Sequence, residues 1–448
     1  MPRSAGADAI PSTLLRPGAG PFWLALLLTG IGTGISAAAL TWLLQFVQRL
    51  MWHGSGVNIL DAAQHATAWH HVLVLIGAGL VTGAGQILLK KLSSGNGIDT
   101  TAAIWFYAGR MPAWRTLGSA VLSVIIVGMG VSLGREGAPK QAGAVMANFF
   151  SDAADLSDEQ RRLLVACGAG AGMGAAYGVP LGGALFSLEV MRGVLALRYV
   201  LPALFTCVVA TAVSWLFLPD APTYLIPAYQ SSLSVYAWTL VAGPIAGLAS
   251  VGYVRLITWA DRHKPEGWRR MVAPIGVFAA LGAASIAFPQ LLGNGRDISQ
   301  LAFSGQVAPL LLLALLALRP LATVMSVRCG APGGLFTPSL TVGAMLGAVL
   351  GYAWSWFWPG VPPGLFAFLG AGALLAATTQ GPISTVVLMM ELTGRDRSFI
   401  APLLLIVTLA TLVARSIELR SIYDARLTDE EVEARRKARE IPGQAPAA

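Results

Sequence analysis

Between Gly128 and Gly143 the chain reads GMGVSLGREGAPKQAG, which sets an arginine, a glutamate and a lysine into otherwise apolar, membrane-like sequence. A charge at the centre of a spanning helix costs roughly 2.5 to 3.5 kcal/mol on the insertion scale, so Arg135, Glu136 and Lys140 are expected to face protein or a water-filled path. Gly134, Gly137 and Pro139 do not suit the interior of an ordinary spanning helix, but they suit a loop that opens into the first turn of a new one. That turn exposes unpaired N–H groups at the positive end of a helix dipole, a place for an anion when it lies at membrane depth. Glu136 is an anion that the chain itself carries to such a place.

The surroundings justify the membrane reading. Of 448 residues, 55% are hydrophobic and 12% charged, about half the charged share of a soluble protein, and the mean hydropathy is +0.66. The chain reads as a polytopic membrane protein. Its first apolar run, Phe22 to Val47, exceeds the roughly 7 to 15 residues of a signal-peptide core and reads as a retained span. The net charge of +8 comes from basic residues scattered at segment ends, a positive-inside distribution rather than a nucleic-acid surface. Cys167, Cys207 and Cys329 lie in apolar or glycine-rich sequence without metal spacing and read as small packing residues. His53, His65, His70 and His71 fall in one early loop region and His263 in a polar linker, with no zinc pattern. No metal, cofactor or nucleic-acid partner is expected. An intramembrane hydrolase would need a nucleophile and base within the spans, and GxSxG is absent, so the chain is not read as an enzyme.

Residues 1–20 read as a cytoplasmic leader, 21–260 as a first transmembrane repeat, 261–270 as a cytoplasmic linker (DRHKPEGWRR), 271–423 as a second repeat, and 424–448 as a charged cytoplasmic tail. His53 to His71 is expected to be a connecting loop. The duplication rests on residues of different types holding one frame. Gly168-Ala169-Gly170-Ala171 matches Gly370-Ala371-Gly372-Ala373, Pro180 matches Pro382 and Glu189 matches Glu391, all 202 residues apart. Gly134, Pro139 and Met146 pair with Gly333, Pro338 and Met345 at 199. The second break, GAPGGLFTPSL (Gly330 to Leu340), repeats the opening design. Duplicated halves with Gly/Pro-interrupted helices are the pattern of transport proteins whose site lies at the repeat interface.

Five motifs, in order, resemble the CLC family of chloride channels and chloride/proton antiporters, over nearly the whole chain. GREGAPKQ (Gly134 to Gln141) is similar to that family's GREGP/GKEGP loop, GAPGGLFTPSL to its GGxFxP loop, and GNGI (Gly95 to Ile98) stands in place of GSGIP. AAYGVPLGGALFSLEVMR and SIYD with Tyr423 complete the set. The resemblance implies an all-α membrane protein, an inverted-repeat bundle of many tilted and broken transmembrane helices, of bacterial type without regulatory domains. It also implies a homodimer with one pore per subunit, in a bacterial inner membrane. It casts Glu136 as the external gating glutamate and Tyr423 as hydroxyl donor to a central anion, with Asn96, Gly137, Leu335 and Phe336 as chloride-binding positions. The apolar side chains at 335 and 336 can serve an anion only through their amides. Gly95, Gly97, Gly134, Arg135, Gly333, Gly334 and Pro338 would shape the filter loops.

Three departures bear on function. Asn96 replaces the familiar serine, and its amide still offers N–H donors but puts the selectivity order in question. Asp99 replaces the proline after GSGI and is expected to cap the following helix. The antiporters' internal proton glutamate aligns with Val190, which cannot carry a proton. The expectation is a CLC-type chloride channel gated by Glu136 and sensitive to voltage and pH. The alternative is a chloride/proton antiporter with weak or altered coupling, for which Glu189 would be the nearest proton carrier, although its match to Glu391 points to a structural role.

Overall fold

In a bilayer, apolar sequence with few charges satisfies its backbone polar groups as helices or closed barrels, and this chain takes the helical solution. The structure, a computed structural model, describes residues 10–11, 18–53, 58–92, 99–394 and 399–440. Among these there is no strand beyond a two-residue bridge, Gly134 to Gly334. Among the described residues eight helices are long and apolar enough to cross a membrane.

The first half runs α1 (Ala19–Trp52), α2 (Ile59–Gln64), α3 (Ala68–Lys91), α4 (Thr100–Phe106), α5 (Ala113–Gly128), α6 (Gly137–Ala153), α7 (Asp158–Tyr177), α8 (Pro180–Phe186) and α9 (Leu197–Trp215). A π-helical turn, Ser187–Arg192, follows α8. The second half, which by its packing opens with α10 and so ahead of the division at residue 260 expected from sequence, runs α10 (Leu233–Arg262), α11 (Arg269–Ala287), α12 (Arg296–Phe303), α13 (Pro309–Arg328), α14 (Phe336–Ser355), α15 (Pro363–Thr379), α16 (Pro382–Thr393) and α17 (Ile400–Ile417). A 3-10 turn, Ile422–Asp424, and α18 (Asp429–Glu440) close it. The region expected to be one loop, His53 to His71, instead holds α2 and the start of α3. Asn58 caps α2 by accepting from Leu60 and Asp61 N–H, and His71 is buried between Ser285 and the Ala63 carbonyl.

The duplication is legible in the packing. The α6–α7 pair of the first half recurs as α14–α15, and α1–α9 as α10–α17. Glycines let these helices approach closely: a methyl group on Gly343 would lie 2.6 Å from the Gly370 carbonyl oxygen, and one on Gly370 2.7 Å from that of Gly343. The corresponding Gly143 and Gly168 meet in the same way. The halves also exchange carboxylates. Glu391 accepts from the N–H groups of Leu181 (3.1 Å) and Gly182 (2.6 Å), at the start of α8. Glu189 accepts from those of Ile383 (3.1 Å) and Ser384 (2.6 Å), at the start of α16. Each acid thus satisfies the orphan donors of the other half's broken helix, which gives Glu189 a structural task.

A charge-assisted hydrogen bond is worth about 1.5–3 kcal/mol, and each acid makes two. Glu391→Ala and Glu189→Ala are therefore expected to lower the thermal unfolding temperature in detergent by similar amounts. Unchanged unfolding in both variants would mean that the exchange contributes nothing.

Candidate anion path

The two sequence breaks meet. Gly134 N–H donates to the Gly334 carbonyl and Gly334 N–H to the Gly134 carbonyl, both at 2.8 Å, joining the loop before α6 to the loop before α14. The bridge equates positions 200 apart, between the two frames read from sequence. Side chains have no room here. A methyl group on Gly137 would lie 2.9 Å from Gly334 N, and one on Gly333 2.6 Å from Leu133 Cβ.

Glu136 caps α6 and turns its side chain onto the other break. Its Oε1 accepts from Phe336 N–H at 2.6 Å and Thr337 N–H at 3.3 Å, and its Oε2 from the Thr337 hydroxyl at 2.9 Å. Tyr177 OH adds a longer bond at 3.4 Å. The carboxylate therefore sits at the N-terminus of α14, where free N–H groups favour negative charge. Glu136 is 2% exposed. It makes no ion pair with Arg135 or Lys140 among the described residues. The Arg135 guanidinium lies 4.7 Å from the centre of the Tyr177 ring. Of the two amides expected to serve an anion, that of Phe336 is in place at the carboxylate. The carboxylate takes its second amide from Thr337, and Leu335 lines the cavity beneath. Thr337 and Tyr177 escaped the sequence reading, although Thr337, in the first turn after the break, carries one of the four orphan N–H groups every helix has. Pro338 follows in that same turn.

Beneath Glu136 is a cavity of about 50 Å³ bounded by Gly137, Lys140, Gly333, Gly334, Leu335 and Tyr423. The Tyr423 hydroxyl is buried and unpartnered among the described residues, and its ring meets Phe186 edge-on at 5.5 Å. The 3-10 turn that holds Tyr423 is fixed by Asp424, whose Oδ2 accepts from Ser421 N–H (3.0 Å) and hydroxyl (2.7 Å). Arg435 of α18 pairs with Asp424 and donates to the Val190 carbonyl at 2.7 Å. Val190 itself is buried and aliphatic, inside the π-helical turn.

Asp99, Gln141, Asp261 and Arg426 are shared with a second cavity of about 430 Å³ that also meets Lys90, Arg115, Lys264 and Arg270. Cations outnumber acids on its wall, a field that concentrates anions. Arg426 pairs with Asp99 at 3.3 Å and Asp261 at 3.4 Å. Burial of its stem, then the Arg426 guanidinium, pull the Lys264 ammonium below the ordinary lysine value. Asp99 caps α4 as expected, accepting from Thr101 N–H at 2.8 Å. Gly95, Asn96 and Gly97 lie outside the described residues, so the expected filter role of Asn96 has no geometry here.

The family described as "Voltage gated chloride channel" matches residues 78–415. The chain is 28% identical over 384 residues to the voltage-gated ClC-type chloride channel ClcB of Citrobacter koseri, covering 82% of this chain and 89% of that one. It is also 28% identical over 372 residues to the H(+)/Cl(-) exchange transporter ClcA of Vibrio parahaemolyticus, covering 79% of each. Among solved structures, a slow cyanobacterial Cl-/H+ antiporter superposes with a TM-score of 0.79 at 22% identity, over 94% of this chain and 99% of that one.

Proposed function

Because the chain belongs to the CLC family of voltage-gated chloride channels, we propose that it carries chloride across the cell membrane as a channel, gated by Glu136 and weakly coupled or uncoupled to protons. Multi-pass membrane placement and anion transport follow from the family, while the gate and the channel mode are this proposal's own. The observation that carries the gate is the Glu136 carboxylate seated on Phe336 and Thr337 N–H. A carboxylate and a chloride compete for the same donors, so the path opens when the carboxylate leaves or is protonated. The Tyr423 hydroxyl, buried and unpartnered among the described residues, fits a second anion position further in. A homodimer with one path per subunit, set in a bacterial inner membrane, belongs to the same proposal.

The relatives carry both channel and exchanger names, so the mode must be argued from residues. An exchanger needs a titrating relay on the inner side. Val190 has no titrating group, and its neighbour Glu189 is engaged on the start of α16. Reconstituted protein under a chloride gradient, with chloride and proton movement followed together, is the test. Chloride is expected to run down with no stoichiometric proton flux. Sustained uphill proton movement at a fixed ratio would establish the exchanger instead.

A further inference from the structure

Lys140 stands four residues after Glu136, one turn along α6, so both side chains leave the same face of the helix. It is 7% exposed and lines the cavity beneath the glutamate. Its ammonium lies 4.6 Å from the centre of the Tyr423 ring and makes no hydrogen bond or ion pair among the described residues. The nearby acids are committed elsewhere. Asp99 caps α4 and pairs with Arg426, and Glu136 is turned onto α14. Asp99 and Glu136 therefore act on Lys140 only through space, and a buried ammonium that no carboxylate contacts directly is costly. Here it shares one cavity with the Tyr423 hydroxyl, buried and without a hydrogen-bond partner among the described residues. The cavity, about 50 Å³, is several times the roughly 10–15 Å³ that one water needs. Two donors with no hydrogen-bond acceptor among the described residues, one of them charged and held over the Tyr423 ring, line one small space and form a site for a monovalent anion.

We propose that Lys140 is a direct cationic ligand of the permeating halide, holding it with the Tyr423 hydroxyl immediately inside Glu136. The inference rests on the anion-path reading and goes beyond it. The path contains a fixed positive charge as well as backbone dipoles, so the anion is bound more tightly and flux saturates at lower chloride. The ammonium also stands where an anion leaving the Glu136 position arrives next.

Chloride titrated calorimetrically into the detergent-solubilised full chain tests this, alongside thermal unfolding with and without chloride. Lys140→Met keeps length and removes charge, and is expected to weaken chloride binding about tenfold or more. The half-saturating chloride for flux in vesicles should rise by the same factor. Unfolding without chloride should occur at the same or a higher temperature, because a buried charge has been removed. Lys140→Arg should keep binding close to wild type. If Lys140→Met does not fold, Lys140→Gln in the same titration decides. A folded neutral variant with wild-type chloride affinity overturns the Lys140 assignment and leaves the path intact. A wild-type chain that neither binds nor passes chloride overturns both.

Discussion

Glu136→Ala in vesicles is expected to raise anion flux at neutral pH about tenfold or more and to abolish its pH dependence. In the wild type the carboxylate holds the Phe336 and Thr337 N–H groups and the Thr337 hydroxyl, the donors for which chloride competes under the proposed gate. Charge-assisted bonds of this kind are worth about 1.5–3 kcal/mol each, and a competitor only 1.4 kcal/mol better placed than chloride already holds the site ten to one. Protonation removes the negative charge and weakens the hold, so wild-type conduction should rise as external pH falls. Glu136→Gln imitates the protonated form and should give the same open state, with no proton movement in either variant. If Glu136 served only to hold the fold, as a partner of Arg135 or Lys140, these variants would express poorly instead. The described ion pairs offer no support for that arrangement. A well-folded Glu136→Ala protein that kept wild-type pH dependence would remove the gate.

Arg435→Ala is expected to have the largest effect on stability. The Arg435 guanidinium and the Asp424 carboxylate are both almost wholly buried. Removing one member of such a pair leaves the other charge without compensation, a loss of about 3–5 kcal/mol. Three partners depend on this side chain: Asp424, the Val190 carbonyl and the Trp105 ring, 5.0 Å from the guanidinium carbon. Arg435→Ala should therefore lower the unfolding temperature and, by loosening the turn that carries Tyr423, weaken chloride binding. Arg435→Lys should rescue only part, since an ammonium lacks the planar fork that reaches carboxylate and carbonyl together. Normal unfolding and normal chloride affinity in Arg435→Ala would show α18 to be an appendage.

That contact also marks where sequence reasoning ended. DEEVEARRKARE reads as a charged tail, and nothing local says that its seventh residue reaches back to Val190. Arg319 is similar: nothing near it in the apolar sequence of α13 names its partners, yet it is fully buried, donating to the Gln290, Leu292 and Gly293 carbonyls. The Asp99 cap, by contrast, was readable because a helix start and its cap are neighbours in the chain.

From sequence alone came the membrane-embedded helical class, the two Gly/Pro breaks, the duplication and the placing of Glu136 at a helix start. Each rests on periodicity, transfer cost or backbone conformation, properties that act within a few residues or simply sum along the chain. The tertiary structure decided which helix start receives the Glu136 carboxylate, that Thr337 gives that carboxylate its second amide, and that Glu189 and Glu391 cap each other's half. It also aimed Lys140 at Tyr423 and joined α18 to the π-helical turn. Those outcomes depend on which polar groups converge when segments roughly 190 to 280 residues apart pack together. Burial then makes each convergence costly to leave unsatisfied, and only the folded chain shows how the cost is met.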